Sequence, residues 1–301
     1  MGRIDEALRR SGGELAKQLP AADAQAAFVA PWSTAADAPA PAVDERRLSV
    51  ANTVPNLEKT LLDSEPTGRH SIAPSWMHKL VIAPSPNAQL VEQFRGLAAA
   101  LHRARSEAAP GTHLRVVMVT SADASEGKTL TAANLALTLS ESYKQRVLWV
   151  DADLRRPSLG QLCQIPDTGG LSEGLKATTE QKLRVVSITD TLTVLPAGRP
   201  DPDPMSSLTS PRMSRILREA ETRFDWVVLD APPIGPIADA GLLCSMVDAV
   251  LLVVRAEQTK CAAVQKAVES IGRDRILGVV LNGADDLEDV GYGDYYSHPR
   301  E

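Results

Sequence analysis

An α/β fold is predicted here, a mostly parallel sheet wound on both faces by helices, and three observations predict it. Continuous apolar, β-branched runs such as 249–254 read as strands buried on both faces. Segments of helical periodicity separate these runs, the alternation that indicates a parallel sheet covered by helices. At 116–139 a β-branched run passes through small and polar residues into a stripe of Ala132, Leu135, Ala136 and Leu139. That is a strand, a loop and a helix.

The loop in that stretch spans Ala122, Asp123, Ala124, Ser125, Glu126, Gly127, Lys128, Thr129 and Leu130. Its Gly-Lys-Thr ending matches a G-x-x-x-x-G-K-[ST] phosphate loop, with Ala122 where the first glycine would stand. Backbone N–H groups at a helix start bind anions, a lysine reaches the outer phosphates and a threonine hydroxyl ligates Mg²⁺. A nucleoside triphosphate site is therefore expected, in a P-loop type of doubly wound fold.

Taken in order, residues 1–19 contain a short amphipathic helix with Ile4, Leu8 and Leu15 on one side among charges. Residues 20–78 are rich in Ala, Pro, Asp and Ser and lack sustained periodicity, so they read as a flexible linker within a disordered N-terminal extension. Leu80-Val81-Ile82 is strand-like, and a helix over 89–103 carries Leu90, Phe94, Leu97 and Leu101 as a buried stripe. Glu92 and Arg95 share another face of that helix. Strands are expected near 114–120, 146–151, 192–196, 226–230, 248–254 and 277–282. Helices are expected near 129–141, 171–177, 211–223, 237–246 and 258–272.

Two of these strands deliver carboxylates. The run 146–151 leads into Asp151-Ala152-Asp153-Leu154-Arg155-Arg156-Pro157, and 226–229 leads into Asp230-Ala231-Pro232-Pro233. The C-terminal edge of such a sheet is where ligands bind. Asp151 and Asp153 point the same way in extended chain, so both can face one metal-phosphate centre. Asp230 stands where an aspartate holds Mg²⁺ in P-loop enzymes.

Composition narrows the alternatives. A net charge of −6 speaks against a general nucleic-acid binder. Cys163, Cys244 and Cys261 are far apart without C-x-x-C spacing, which suits buried thiols in a reducing compartment and no zinc site. No signal-peptide core and no apolar run long enough to span a bilayer is apparent, so the expectation is a cytoplasmic protein that touches membrane only through a partner.

Taken together, Gly127-Lys128-Thr129, the Asp-Ala-Asp-Leu-Arg-Arg-Pro run, Asp230-Ala231-Pro232-Pro233 and the terminal Tyr292, Tyr295 and Tyr296 resemble the bacterial tyrosine kinases of capsule and exopolysaccharide synthesis. The resemblance covers about 80–301, and the Arg-Ile-Asp-Glu-Ala-Leu opening resembles the soluble, exosortase-associated branch. It implies a kinase domain over 79–284 and a tyrosine-bearing tail over 285–301. It implies ATP and Mg²⁺, with Lys128 on the phosphates, Thr129, Asp151 and Asp230 at the metal, and Asp151 or Asp153 facing the acceptor hydroxyl. It also implies a transmembrane chain-length-determinant (polysaccharide co-polymerase) partner, self-association, and a cognate tyrosine phosphatase.

Two departures from the family pattern stand out. Ala124-Ser125 replaces Pro-Gly in the loop, so Ser125 is expected to bear a positive φ at about 1 kcal/mol or more. The ring-assembly pattern Glu-x-x-Arg-x-x-Arg reads Glu92, Arg95 and Ala98, with the last arginine missing. Competing readings are a partition or division-type ATPase switch, whose loop carries a second lysine where Asp123 stands, and a nucleotide-binding regulator of weak activity.

Overall fold

The computed structural model describes residues 62, 66, 68–109, 113–177, 182–235 and 238–284. Apolar runs form the strands β1 (Val116–Ser121), β2 (Val147–Asp151), β3 (Val186–Ser187), β4 (Leu192–Leu195), β5 (Trp226–Asp230), β6 (Ala249–Arg255) and β7 (Ile276–Asn282). They make one sheet in the order β3-β4-β2-β5-β1-β6-β7. Every pairing is parallel except β3 with β4. Parallel neighbours require crossovers, and the intervening segments supply them as helices.

Nine α-helical segments are present among the described residues: α1 (Pro74–Met77), α2 (Ala88–Glu107), α3 (Lys128–Leu137), α4 (Leu159–Leu162), α5 (Leu171–Lys176), α6 (Met205–Leu208), α7 (Pro211–Arg223), α8 (Ala238–Cys244) and α9 (Cys261–Ile271). Strand alternation divides the core into two layers. Val116, Met118, Leu148 and Val150 face a layer closed by Met213, Ile216 and Leu217 of α7 and Val264, Ala267 and Val268 of α9. Val117, Val119, Val147 and Trp149 face a layer closed by Phe94, Leu97 and Leu101 of α2 and Ala132, Leu135 and Ala136 of α3. Both faces of each central strand are thus buried, which is why their sequences are continuously apolar.

Several local expectations change. Leu80-Val81-Ile82 forms a turn: Leu80 N donates to Met77 O at 3.1 Å, while Asn134 accepts from Val81 N at 2.8 Å and donates to Lys79 O at 3.1 Å. The predicted helix 129–141 starts at Lys128 and passes into a π turn (Thr138–Ser142). Strand β3 and helices α1, α4 and α6 are too short to show a period in the sequence.

Packed chain begins before residue 79. Leu62 is fully buried, and His70 and Ala73 donate backbone hydrogen bonds to Ser187 O and Leu162 O. The N-terminal helix and the tyrosine tail lie outside the described residues. Cys163 and Cys244 are buried as expected, whereas Cys261 is half-exposed. Among the described residues no helix is long and apolar enough to cross a membrane.

Asn134 is itself almost fully buried, and its removal leaves Val81 N and Lys79 O without the partner it supplies. Asn134→Ala is expected to lower the unfolding free energy by about 2 kcal/mol, measured by urea denaturation.

Candidate active site

At the C-terminal edge of β1 the chain leaves the sheet and wraps into the phosphate loop. Thr120 Oγ1 donates to Pro232 O at 2.7 Å and ties that edge to the segment after β5. Gly127 adopts φ 92° immediately before α3, which only a residue without a side chain takes at no cost. Ser125 adopts φ 64°, as expected from its position, and bears the left-handed strain directly.

Three residues distant in sequence hold the loop in place. Asn282, the last residue of β7, donates from Nδ2 to Glu126 O at 2.9 Å. Arg255, ending β6, donates to Ser125 O at 3.3 Å. Glu126 is nearly buried, accepts from Thr259 Oγ1 and from Asp123 N, and has its carboxyl pKa raised by burial. A Cβ on Gly127 would stand 2.0 Å from Asn282 Nδ2, so glycine is needed for space as well as for φ.

Beside this loop the parallel register sets Asp151 opposite Asp230. Lys128, opening α3, projects its ammonium to 3.1 Å from Asp153 Oδ2 and 3.9 Å from Asp230 Oδ1. Burial acts to lower the lysine pKa, but Asp230 and Asp153 outweigh it and raise the net value. Asp230 is fully buried and its pKa is raised, burial exceeding the opposing pull of Lys128 and Thr129. Ser158 bridges the group, its Oγ 3.3 Å from Thr129 Oγ1 and 3.4 Å from Asp230 Oδ2.

Asp151 is placed differently from its neighbour. Its Oδ2 accepts from Ser158 N and Leu159 N, both at 2.9 Å, and its Oδ1 from Asp153 N at 3.2 Å. Burial, then repulsion from Asp230, pushes its pKa up to about 7 against the pull of those amides. The structure therefore brings Lys128, Thr129, Asp153 and Asp230 side by side, and turns Asp151 toward the backbone at the start of α4.

The arginines of the Asp-Ala-Asp-Leu-Arg-Arg-Pro run divide. Arg155 forms a two-pronged ion pair with buried Asp239 of α8 and donates to Pro202 O, linking α8 and two loops at this edge. Arg156 is exposed. Sequence reading identified the loop and the three aspartates, but missed Ser158, Asn282, Thr259, Arg255 and Asp239. Their residue types carry no motif, and only folding brings them to the site.

The donor set suits Mg²⁺ bound with a nucleotide. Asp230 Oδ1 is buried without a hydrogen-bond partner, beside Thr129 on the loop. Among the described residues no three His, Cys, Asp or Glu side chains form a cage of their own. Mg²⁺ is commonly held by one or two carboxylates together with substrate phosphates, so these residues fit it. An anion-binding loop, a lysine among strand-end carboxylates and a parallel sheet define a P-loop nucleotide-binding protein.

Relatives give the family. The chain is 34% identical over 226 residues to tyrosine-protein kinase YwqD of Bacillus subtilis, covering 73% of this chain and 93% of that one. It is 32% identical over 222 residues to the succinoglycan biosynthesis transport protein ExoP of Rhizobium meliloti, covering 71% of this chain and 28% of ExoP. The solved kinase domain of the Escherichia coli tyrosine kinase ETK superposes with a TM-score of 0.59 at 26% identity, covering 74% of this chain and 94% of that domain. No family model matches the chain. The chain belongs to the bacterial tyrosine-protein kinase family.

Relief of the strain at Ser125 is measurable. Ser125→Gly is expected to raise the unfolding free energy by up to about 1 kcal/mol in urea, the left-handed penalty exceeding the added chain entropy. A pH effect follows from Asp151. Its folded pKa lies above the ordinary carboxylate value, so between about 3.8 and about 7 the native state holds a proton that the unfolded chain releases. Stability from this group is present at low pH and lost as pH rises through that window. The nucleotide-free Asp151→Asn variant should lose less stability across it than the unsubstituted chain, as read by urea titrations at each pH.

Proposed function

We propose that this chain is an ATP-dependent protein-tyrosine autokinase of exopolysaccharide or capsule synthesis, and that Tyr292, Tyr295 and Tyr296 are its acceptors. The observation that supports this reading most is the Lys128 ammonium held between Asp153 and Asp230 beside a phosphate loop. The loop amides and Lys128 bind the β- and γ-phosphates of ATP. Thr129, Asp230 and Asp151 are the residues that would hold Mg²⁺. When bound there, the ion would supply positive charge against the phosphates.

Phosphoryl transfer then needs a base for the acceptor, because a free tyrosine ionises only near pH ~10. Asp153 takes the phenolic proton, the phenolate oxygen bonds to the γ-phosphorus, and the bond from that phosphorus to the β-bridging oxygen breaks to release ADP. The tail follows β7, and from Asn282 to Tyr296 an extended chain spans roughly 45 Å, so acceptors reach a site on the same or a neighbouring molecule. Each phosphate adds about −1.5 to −2 charges to a tail already rich in aspartate and glutamate, favouring its release from the acidic site.

Partners follow from the same reading. Kinship with ExoP supports a transmembrane polysaccharide co-polymerase as activator, holding the kinase at the inner membrane from the cytoplasmic side, with a cognate phosphatase resetting the tail. Self-association uses the exposed Glu92–Arg95 pair on α2, whose charged atoms are 2.7 Å apart. Ala98, standing where the family has a second arginine, is fully buried and offers no contact, so assembly is weak.

Incubating the full chain with ATP and Mg²⁺ and mapping phosphate by mass spectrometry tests this. Phosphate is expected on the tail tyrosines, and Lys128→Met should reduce both labelling and ATP hydrolysis by about 100-fold or more while the circular dichroism spectrum is unchanged. An ATPase-competent preparation that labels none of the three tyrosines would exclude the acceptor assignment.

A further inference from the structure

Ahead of the kinase domain, Leu62 and residues 68–73 are laid along the outer edge of the sheet and run on to the segment that holds α4. Leu62 pairs with Leu183, is fully buried, receives Glu219 on its N–H and Arg223 on its carbonyl, and so anchors the far end. Gly68 O accepts from Ser187 N at 3.2 Å and His70 N donates to Ser187 O at 2.9 Å, so the segment covers the edge of β3 through one parallel bridge.

Beyond that edge the segment grips α4. Ser71 Oγ donates to Gln164 Oε1 at 3.1 Å, His70 Nδ1 lies 3.0 Å from Gln164 O, and Ala73 N donates to Leu162 O at 2.8 Å. Ile72 is buried in the same apolar layer as Leu159, Leu162 and Ile165. A four-residue helix has no stability of its own and takes its position from what touches it. Its last carbonyls have no intrahelical partner, and Ala73 supplies one. The first amides of this short element, Ser158 N and Leu159 N, are those that hold Asp151.

We infer that Leu62 and residues 68–73 form a positioning strap: by fixing Leu162 and Gln164 they set the amides of Ser158 and Leu159, and through these the Asp151 carboxylate beside Asp153. This rests on the kinase reading of that aspartate pair. Loss of the strap then slows phosphoryl transfer while ATP binding by the loop and Lys128 persists. Ala73, His70 and Ser71 touch no reacting atom and reach the aspartates only through residues 158–164.

The full chain carrying Ala73→Pro tests the strap, since Ala73 has φ −60° and ψ 134°, angles that proline accepts, and only its N–H is lost. Hydrogen exchange at Ser158 and Leu159 is expected to quicken about tenfold, the equivalent of one hydrogen bond, with 122–130 unchanged. The kcat for phosphotransfer should fall several-fold at an unchanged ATP KM, and Ala73→Gly, which keeps the N–H, should behave as the unsubstituted chain. Unchanged exchange at 158–159, or faster exchange with an unaltered kcat, overturns the inference. Should Ala73→Pro fail to fold, Leu62→Ser releases the strap at its other end and is read in the same way. If no tyrosine is ever labelled, the kinase reading fails on its own, and exchange together with ATP hydrolysis still decides the strap.

Discussion

Three carboxylates are buried at the ends of two adjacent strands, and the rest of the site depends on how their charge is offset. Parallel register makes Asp151 and Asp230 neighbours, and the extended chain adds Asp153. One ammonium, Lys128, stands among them, and burial of so many like charges is tolerable only with such a partner. Backbone amides at 158–159 offset a second share of the charge. The cluster remains rich in negative charge, which suits a divalent cation and explains why an anionic nucleotide and a cation belong there together.

This dependence orders the surroundings. Lys128 is aimed by Gly127, whose left-handed turn starts α3, and that turn is held by Asn282 from the far strand β7. Glu126, the residue before it, is locked to Thr259 and to Asp123 N. The strained backbone at Ser125 persists because these contacts over-determine the loop. A phosphate-binding loop that appears local in sequence is thus supported by residues more than a hundred positions away.

On the other side of the carboxylates, support comes from a segment whose composition gives no hint of order. Residues 68–73 belong by composition to a polar, proline-containing linker. The open edge of β3 and the unsatisfied carbonyl of Leu162 draw them onto the sheet. Tertiary partners outweighed local propensity there. At Leu80-Val81-Ile82 the same principle ran the other way, when Asn134 took the backbone groups that a neighbouring strand would have used.

The amino-acid sequence alone determined the parallel α/β class, the phosphate loop from Ala122 to Leu130 and the strand-end aspartates. Each is a local consequence: continuous apolar runs demand burial on both faces, and a glycine-lysine-threonine turn has one useful geometry. Tertiary structure alone decided which carboxylate meets Lys128, that Asp151 turns to the amides of 158–159, and that Asn282, Thr259, Arg255 and the strap at 68–73 hold the site. Those outcomes depend on strand order and register. They are set by the summed packing of the two core layers, to which no single stretch of chain has access.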